Sequence, residues 1–144
     1  MSVNPQTERT TMNQAINPEG WVRGKTANGT HHLNWGVKAG NHVYVAGMLS
    51  TDPHDGSIVG IGDIEVQTRR VLDSVKDVLE AAGGTMADVT FNQIFLRDME
   101  DYHKINAIYV EYFKEFLPAR FCVKLDMVRP EFLVEIATTA VLSA

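Results

Sequence analysis

A chain of 144 residues with 44% hydrophobic and 22% charged content is long enough for one domain with a proper core and is ordinary for a soluble globular protein. A formal charge of −5 supplies no basic stripe to release counterions from phosphates, which argues against a nucleic-acid partner. No apolar run approaches the roughly 20 residues of a membrane span. The polar start from Met1 to Gln14 has no apolar signal core, and the single cysteine, Cys122, excludes an internal disulfide and fits a reducing cytoplasm.

Residues 1–20 are rich in Thr, Asn, Gln and Pro and lack periodicity, so they read as a flexible N-terminal arm before a single domain over residues 21–144. Trp21 to Thr30 is turn-prone, and His32 to Val37 reads as an irregular first strand. Ala39-Gly40-Asn41 is a hairpin signal. The run His42 to Met48 is mostly apolar on both faces, which predicts a central strand. Asp52-Pro53-His54-Asp55-Gly56 has strong turn chemistry, and Ser57 to Ile61 reads as a short edge strand.

A helix is predicted from Asp63 to Ala82, because Ile64, Val71, Leu72, Val75, Val78, Leu79 and Ala82 share one face. Gly83-Gly84 supplies its stop. Asp73, Asp77 and Glu80 read as its solvated side. Val89 to Leu96 is a further strand. A second helix is predicted from Asp98, with Asp101 completing a partial capping box. Its apolar face is Tyr102, Ile105, Tyr109, Tyr112, Phe113 and Phe116, and Pro118 ends it.

Two strands close the chain, Pro118 to Val123 and Leu133 to Thr138, joined by a turn around Arg129-Pro130. Alternation places Ala119, Phe121, Val123 and Leu125 on one face, read as core, and Arg120, Cys122 and Lys124 on the other. The element order predicts an α+β fold with two helices on one face of a sheet. The other face is apolar with no third helix to cover it, which predicts burial between subunits.

Arg120 is either a bidentate clamp for a carboxylate or half of a structural ion pair. Glu135, alone among Leu133, Val134, Ile136 and Ala137, is either a general acid/base raised by burial or a cross-strand partner of Lys124 or Arg120. The sulfur of Cys122 reads as structural, because no Cys/His/Asn constellation marks a nucleophile. The five histidines make no ligand pair at helical or finger spacing, so no metal is expected. Neither Gly83-Gly84 nor Gly60-Ile61-Gly62 has the signature of a phosphate loop.

These residues together resemble a known family. Val43-Tyr44-Val45-Ala46-Gly47, Gln67-Thr68-Arg69, the stretch Asp98 to Phe113, Pro118-Ala119-Arg120 and Val134-Glu135-Ile136 resemble the Rid family of YjgF-type enamine/imine deaminases. The likeness covers roughly residues 36–142. Gly83 to Asn92, Pro118 to Cys122 and Leu133 to Thr138 resemble its RutC branch, the 3-aminoacrylate deaminases.

The resemblance implies a chorismate-mutase-like fold. It also implies a homotrimer with a central barrel, sites between subunits, no cofactor, and a small-molecule carboxylate as substrate. By the same resemblance Arg120 holds that carboxylate, the Cys122 backbone accepts from the substrate nitrogen, and Glu135 handles the attacking water. Gly47 faces the ligand, and Asn92 and Leu33 join the substrate-binding set. Leu33 stands where the family has tyrosine, Ala46 stands where it has serine, and Trp21 to Trp35 departs from the RutC pattern. These changes bear on which substrate is taken, and a larger amino-dienoate or a purely binding role stand as alternatives.

Overall fold

The computed structural model describes residues 12–143. Six strands form one sheet in the order β1-β2-β3-β6-β4-β5. In chain order they are β1 (Asn13–Ile16), β2 (Gly36–Ala39), β3 (His42–Met48), β4 (Val89–Leu96), β5 (Ala119–Lys124) and β6 (Val134–Val141). Two helices, α1 (Ile64–Ala81) and α2 (Tyr102–Tyr112), complete the α+β architecture. No helix among the described residues is long and apolar enough to cross a membrane.

Local chemistry explains most of the elements. Gly40-Asn41 joins β2 to β3 as a two-residue turn, with Ala39 opposite His42. Asp63 caps α1 by accepting from the Val66 N–H. The Gly83 and Gly84 amides close its far end on the Glu80 and Leu79 carbonyls. All seven residues assigned to the apolar face of α1 are buried. That stripe packs with Val43, Val45, Val134, Ile136 and Ala140 from the sheet in the main core.

Gln67, on the same face, is fully buried and polar. It donates to the Gly60 and Glu131 carbonyls at 3.1 and 2.9 Å and accepts from the Leu133 N–H at 2.9 Å. One side chain thus ties the loop before α1 to the segment entering β6.

Several expectations change. Residues 1–11 of the expected arm lie outside the described residues, but Asn13–Ile16 is a strand paired antiparallel with β2. Only Ile16 of its four residues is buried, so no side-chain alternation marked it. Ser57 to Ile61 makes one isolated bridge, Thr51 to Ile58, and no strand, because the chain turns at Gly60 with φ of 73°. The first strand of the hairpin begins at Gly36, later than His32.

The second helix starts as a short 3-10 turn at Met99–Asp101. There Asp98 accepts from the Glu100 N–H, in place of the expected box with Asp101. The α-helix ends at Tyr112, well before Pro118, and Phe116 is 63% exposed. The reason is topological. β4 and β5 run parallel with α2 as the crossover, and the chain needs residues 113–118 to return to the start of β5.

The largest correction concerns β5. Ala119, Phe121, Val123 and Leu125 are exposed in the single chain, whereas Arg120 and Cys122 are half-buried. The guanidinium of Arg120 lies on α2, so the polar face of β5 is the helix-facing one. Phe121 packs edge-on between Phe91 and Phe95, at centroid distances of 5.8 and 6.0 Å, on the side away from the helices.

Candidate functional site

Arg120 extends from β5, the last strand at one edge of the sheet, onto one face of α2. Tyr102, Asn106 and Tyr109 share that face because they stand four and three residues apart. The guanidinium carbon sits 4.7 Å from the Tyr109 ring centroid and 5.7 Å from that of Tyr102. Arg120 Nη2 donates to Asn106 Oδ1 at 2.5 Å and to the Tyr102 hydroxyl at 3.3 Å. Among the described residues no carboxylate pairs with it, so the structural ion pair with Glu135 is absent.

Asn92, expected to touch substrate, is fully buried. It donates to the Tyr109 hydroxyl at 2.8 Å and accepts from Thr138 Oγ1 at 2.6 Å. Both ends of the amide are therefore spent inside the protein. Asn92 acts behind Tyr109, and Tyr109 is the platform under Arg120. Burial pushes the Tyr109 hydroxyl above its ordinary pKa, against the opposing pull of the Asn92 hydrogen bond and the Arg120 charge. The platform is neutral near pH 7.

Cys122 follows Arg120 by two residues and shares its face. Burial raises its thiol pKa, opposed by the Arg120 charge. A raised pKa keeps the sulfur as thiol, which suits a structural side chain and not a nucleophile.

Glu135 occupies the opposite face of the sheet. In β6 the residues Val134, Ile136 and Thr138 are buried toward the helices, and Glu135 alternates with them. It is half-buried, and that burial alone raises its carboxyl pKa. No hydrogen bond or ion pair to its carboxylate occurs among the described residues, which excludes pairing with Lys124 in this chain.

Gly47 explains how the carboxylate fits. Opposite β6, the pairing of β3 shifts register between Val45 and Met48, a bulge formed by Ala46 and Gly47. A Cβ on Gly47 would stand 2.3 Å from Glu135 Oε1, so a side chain there would push the carboxylate out of its present position. Gly47 also borders a cavity of about 270 Å3 whose walls include Trp21, Arg23, Trp35 and Met48. Leu33 is half-buried beside this region, and its carbonyl accepts from Arg23 Nη1 at 3.3 Å.

The structure thus brings Arg120 and Cys122 together on one face, and Glu135 and Gly47 together elsewhere. It does not bring the two pairs together within one chain. Sequence reading missed Tyr102, Asn106 and Tyr109 as the support of Arg120, placing the tyrosines in a core stripe. The available signal was an amide, Asn106, at helical spacing between two tyrosines.

A model of the family described as Endoribonuclease L-PSP matches residues 25–142. The chain is 52% identical over 104 residues to the 3-aminoacrylate deaminase RutC of Acinetobacter baylyi, covering 72% of this chain and 82% of that protein. Among solved structures it is similar to YyfA of Yersinia pestis, from the conserved Rid protein family, with a TM-score of 0.79 and 27% identity over 90% of this chain and 99% of that one. The same values describe its likeness to E. coli TdcF with bound serine.

Proposed function

The chain belongs to the YjgF/Rid family, and from that premise we propose that it hydrolyses a small enamine or imine carboxylate to a carbonyl acid and ammonia. The observation that carries this reading is Arg120, a guanidinium held by three α2 side chains with no acidic partner among the described residues. A fixed, unneutralised fork of this kind suits a substrate carboxylate. The 52% identity to a 3-aminoacrylate deaminase supplies the chemistry.

In this mechanism the enamine tautomerises to the imine. Arg120 holds the carboxylate, and the Cys122 carbonyl oxygen accepts from the substrate N–H. Glu135 takes a proton from a water that attacks the imine carbon. The resulting carbinolamine is protonated on nitrogen and collapses, breaking the C–N bond, so that imine and water become carbonyl and ammonia. Imine hydrolysis is already facile in water, so positioning supplies much of the acceleration. A carboxyl pKa raised by burial suits Glu135 to proton transfer near neutral pH.

Because Arg120 and Glu135 lie on opposite sheet faces, this mechanism needs Arg120 of one subunit with Glu135 of another. The uncovered face supports assembly, since Tyr44, Phe121 and Val123 are 50%, 41% and 43% exposed. The proposed assembly is the homotrimer with a central barrel. Phe121→Glu places a carboxylate between Phe91 and Phe95 and is expected to yield monomers without turnover. Light scattering checks this, and a wild type monomeric at micromolar concentration would refute the shared site.

The testing experiment is ammonia release from enzymatically generated 3-aminoacrylate and 2-aminoacrylate. Acceleration of either supports the deaminase, and failure with both favours a binding role. The family description names an endoribonuclease, but an acidic chain of net charge −5 fits a small acid better than RNA.

The pH profile follows from Glu135. Its raised pKa keeps the carboxyl protonated to a higher pH than an ordinary glutamate of about 4.3. The acid limb of kcat/KM is therefore expected above that value, with activity lost as pH falls through it. Glu135→Gln is expected to lower turnover and abolish the limb. An unchanged limb in that variant would assign it to another group.

A further inference from the structure

We propose that Tyr102 is a second anion donor of the Arg120 clamp, its hydroxyl turning from acceptor of the guanidinium to donor toward the bound carboxylate. The proposal rests on the deaminase reading and deepens it, by completing the groups that recognise the acid end of the substrate. It follows from how the donors of Arg120 are spent.

A guanidinium carries only donors. Nη2 has two hydrogens and faces two acceptors, Asn106 Oδ1 at 2.5 Å and the Tyr102 hydroxyl at 3.3 Å. Nη1 and Nε donate to nothing among the described residues. A carboxylate grips the fork along its Nη1–Nη2 edge or its Nε–Nη2 edge, and either grip takes one Nη2 hydrogen. One of the two resident acceptors must therefore give way when the acid binds.

The distances decide which. The bond to Asn106 is short, and the bond to Tyr102 is at the long end of the range. Asn106 would have to turn its whole amide to offer an anion its N–H bonds. A phenol hydroxyl only rotates about its C–O bond. The carboxylate oxygen that takes the Nη2 hydrogen then stands beside the Tyr102 oxygen, and two facing acceptors repel unless one donates. The Tyr102 hydrogen has no acceptor among the described residues, so it is free to close that contact. A carboxylate has about four lone-pair sites, enough for two Arg120 donors and the hydroxyl.

Placement agrees. Tyr102, Asn106 and Arg120 are all half-buried, so the hydroxyl is within reach of a ligand. The Tyr102 ring packs against the main core, which fixes where its oxygen stands. Tyr109, the other ring under the guanidinium, is buried with its hydroxyl bonded to Asn92, so it serves only as a floor.

The test uses acrylate, a stable acid with the carboxylate and double bond of 3-aminoacrylate but no amine. Ligand-observed NMR reads its dissociation constant without turnover. Tyr102→Phe is expected to weaken acrylate about tenfold and to raise KM for 3-aminoacrylate by a similar factor. The value of kcat is expected to stay within about twofold, because the carboxylate is held alike before and during reaction. The thermal midpoint is expected to move by no more than about 2 °C, since the ring packing is kept.

Tyr102→3-fluorotyrosine fixes the sign. Fluorine makes the hydroxyl a stronger donor and a weaker acceptor, so acrylate is expected to bind tighter at a pH where the phenol stays protonated. A hydroxyl that only accepts from Arg120 gives weaker or equal binding and overturns the proposal. Acrylate affinity unchanged in Tyr102→Phe also overturns it. The two readings fail separately. Acrylate binding that depends on Tyr102, without ammonia from any enamine, sinks the deaminase and keeps the clamp. Ammonia from 3-aminoacrylate, with KM untouched in Tyr102→Phe, does the reverse.

Discussion

Arg120→Ala is expected to lower kcat/KM for an enamine carboxylate by about a thousandfold while leaving the thermal midpoint nearly unchanged. A hydrogen bond to a charged group contributes about 1.5–3 kcal/mol, and a carboxylate on a guanidinium forms two. Losing both corresponds to roughly two to four powers of ten. Stability is spared because β5 is an edge strand and the side chain is only half-buried. Its departure leaves Asn106 and the Tyr102 hydroxyl at a surface that water reaches.

Arg120→Lys is expected to recover little, because an ammonium lacks both the fork and the flat surface that stacks on Tyr109. Steady-state ammonia release and calorimetry on the same preparations decide the matter. Full turnover in Arg120→Ala would end the anion-clamp mechanism. A large drop in thermal midpoint would turn the arginine into a structural residue.

Gln67→Leu is expected to have the opposite profile, with a large loss of stability. The substitution keeps size and apolar contact but removes the partners of the Gly60 carbonyl, the Glu131 carbonyl and the Leu133 N–H. Each buried backbone group left unpaired costs about 1–3 kcal/mol, and partial relaxation reduces the total to about 3 kcal/mol. A chain of this size then melts about 10 °C lower. Scanning calorimetry reads this directly. A midpoint within a degree or two of the wild type would show that the three groups find other partners. Gln67 sits inside a helix whose other inward residues are mostly apolar, a position where an amide is retained only if its polar atoms are satisfied.

The helices and the inner strands were legible because their signals are local. α1 announces itself through a 3.6-residue apolar period, an aspartate cap and a glycine stop. β4 and the Gly40-Asn41 turn are equally plain. β1 was not legible, because three of its four residues are exposed and its order comes from backbone pairing with β2. The face of β5 was misassigned for a related reason. Alternation separates two faces but does not say which one meets the helices, and here the apolar residues face away from them.

The same limit applies to the site. The residue types of Arg120 and Glu135 stood out, since each is an ionic residue in an apolar strand. Their placement on opposite faces depends on which side α2 packs, a tertiary fact. Asn92 entered the binding set through the family resemblance, with no local signal of its own to place it. Its role is internal, a bridge between Thr138 and Tyr109.

In the proposed mechanism, two required groups that turn their backs on each other across one sheet make the lone polypeptide catalytically mute. It carries every required side chain and can still be inert until it meets a copy of itself. Specific activity then becomes steeply dependent on dose, falling faster than concentration once subunits separate. A half-made or misfolded chain stays silent, so activity itself certifies that folding and association are complete. Two differently crippled subunits, each lacking one of the two groups, can also restore part of what neither has alone, because their intact halves meet at a shared seam.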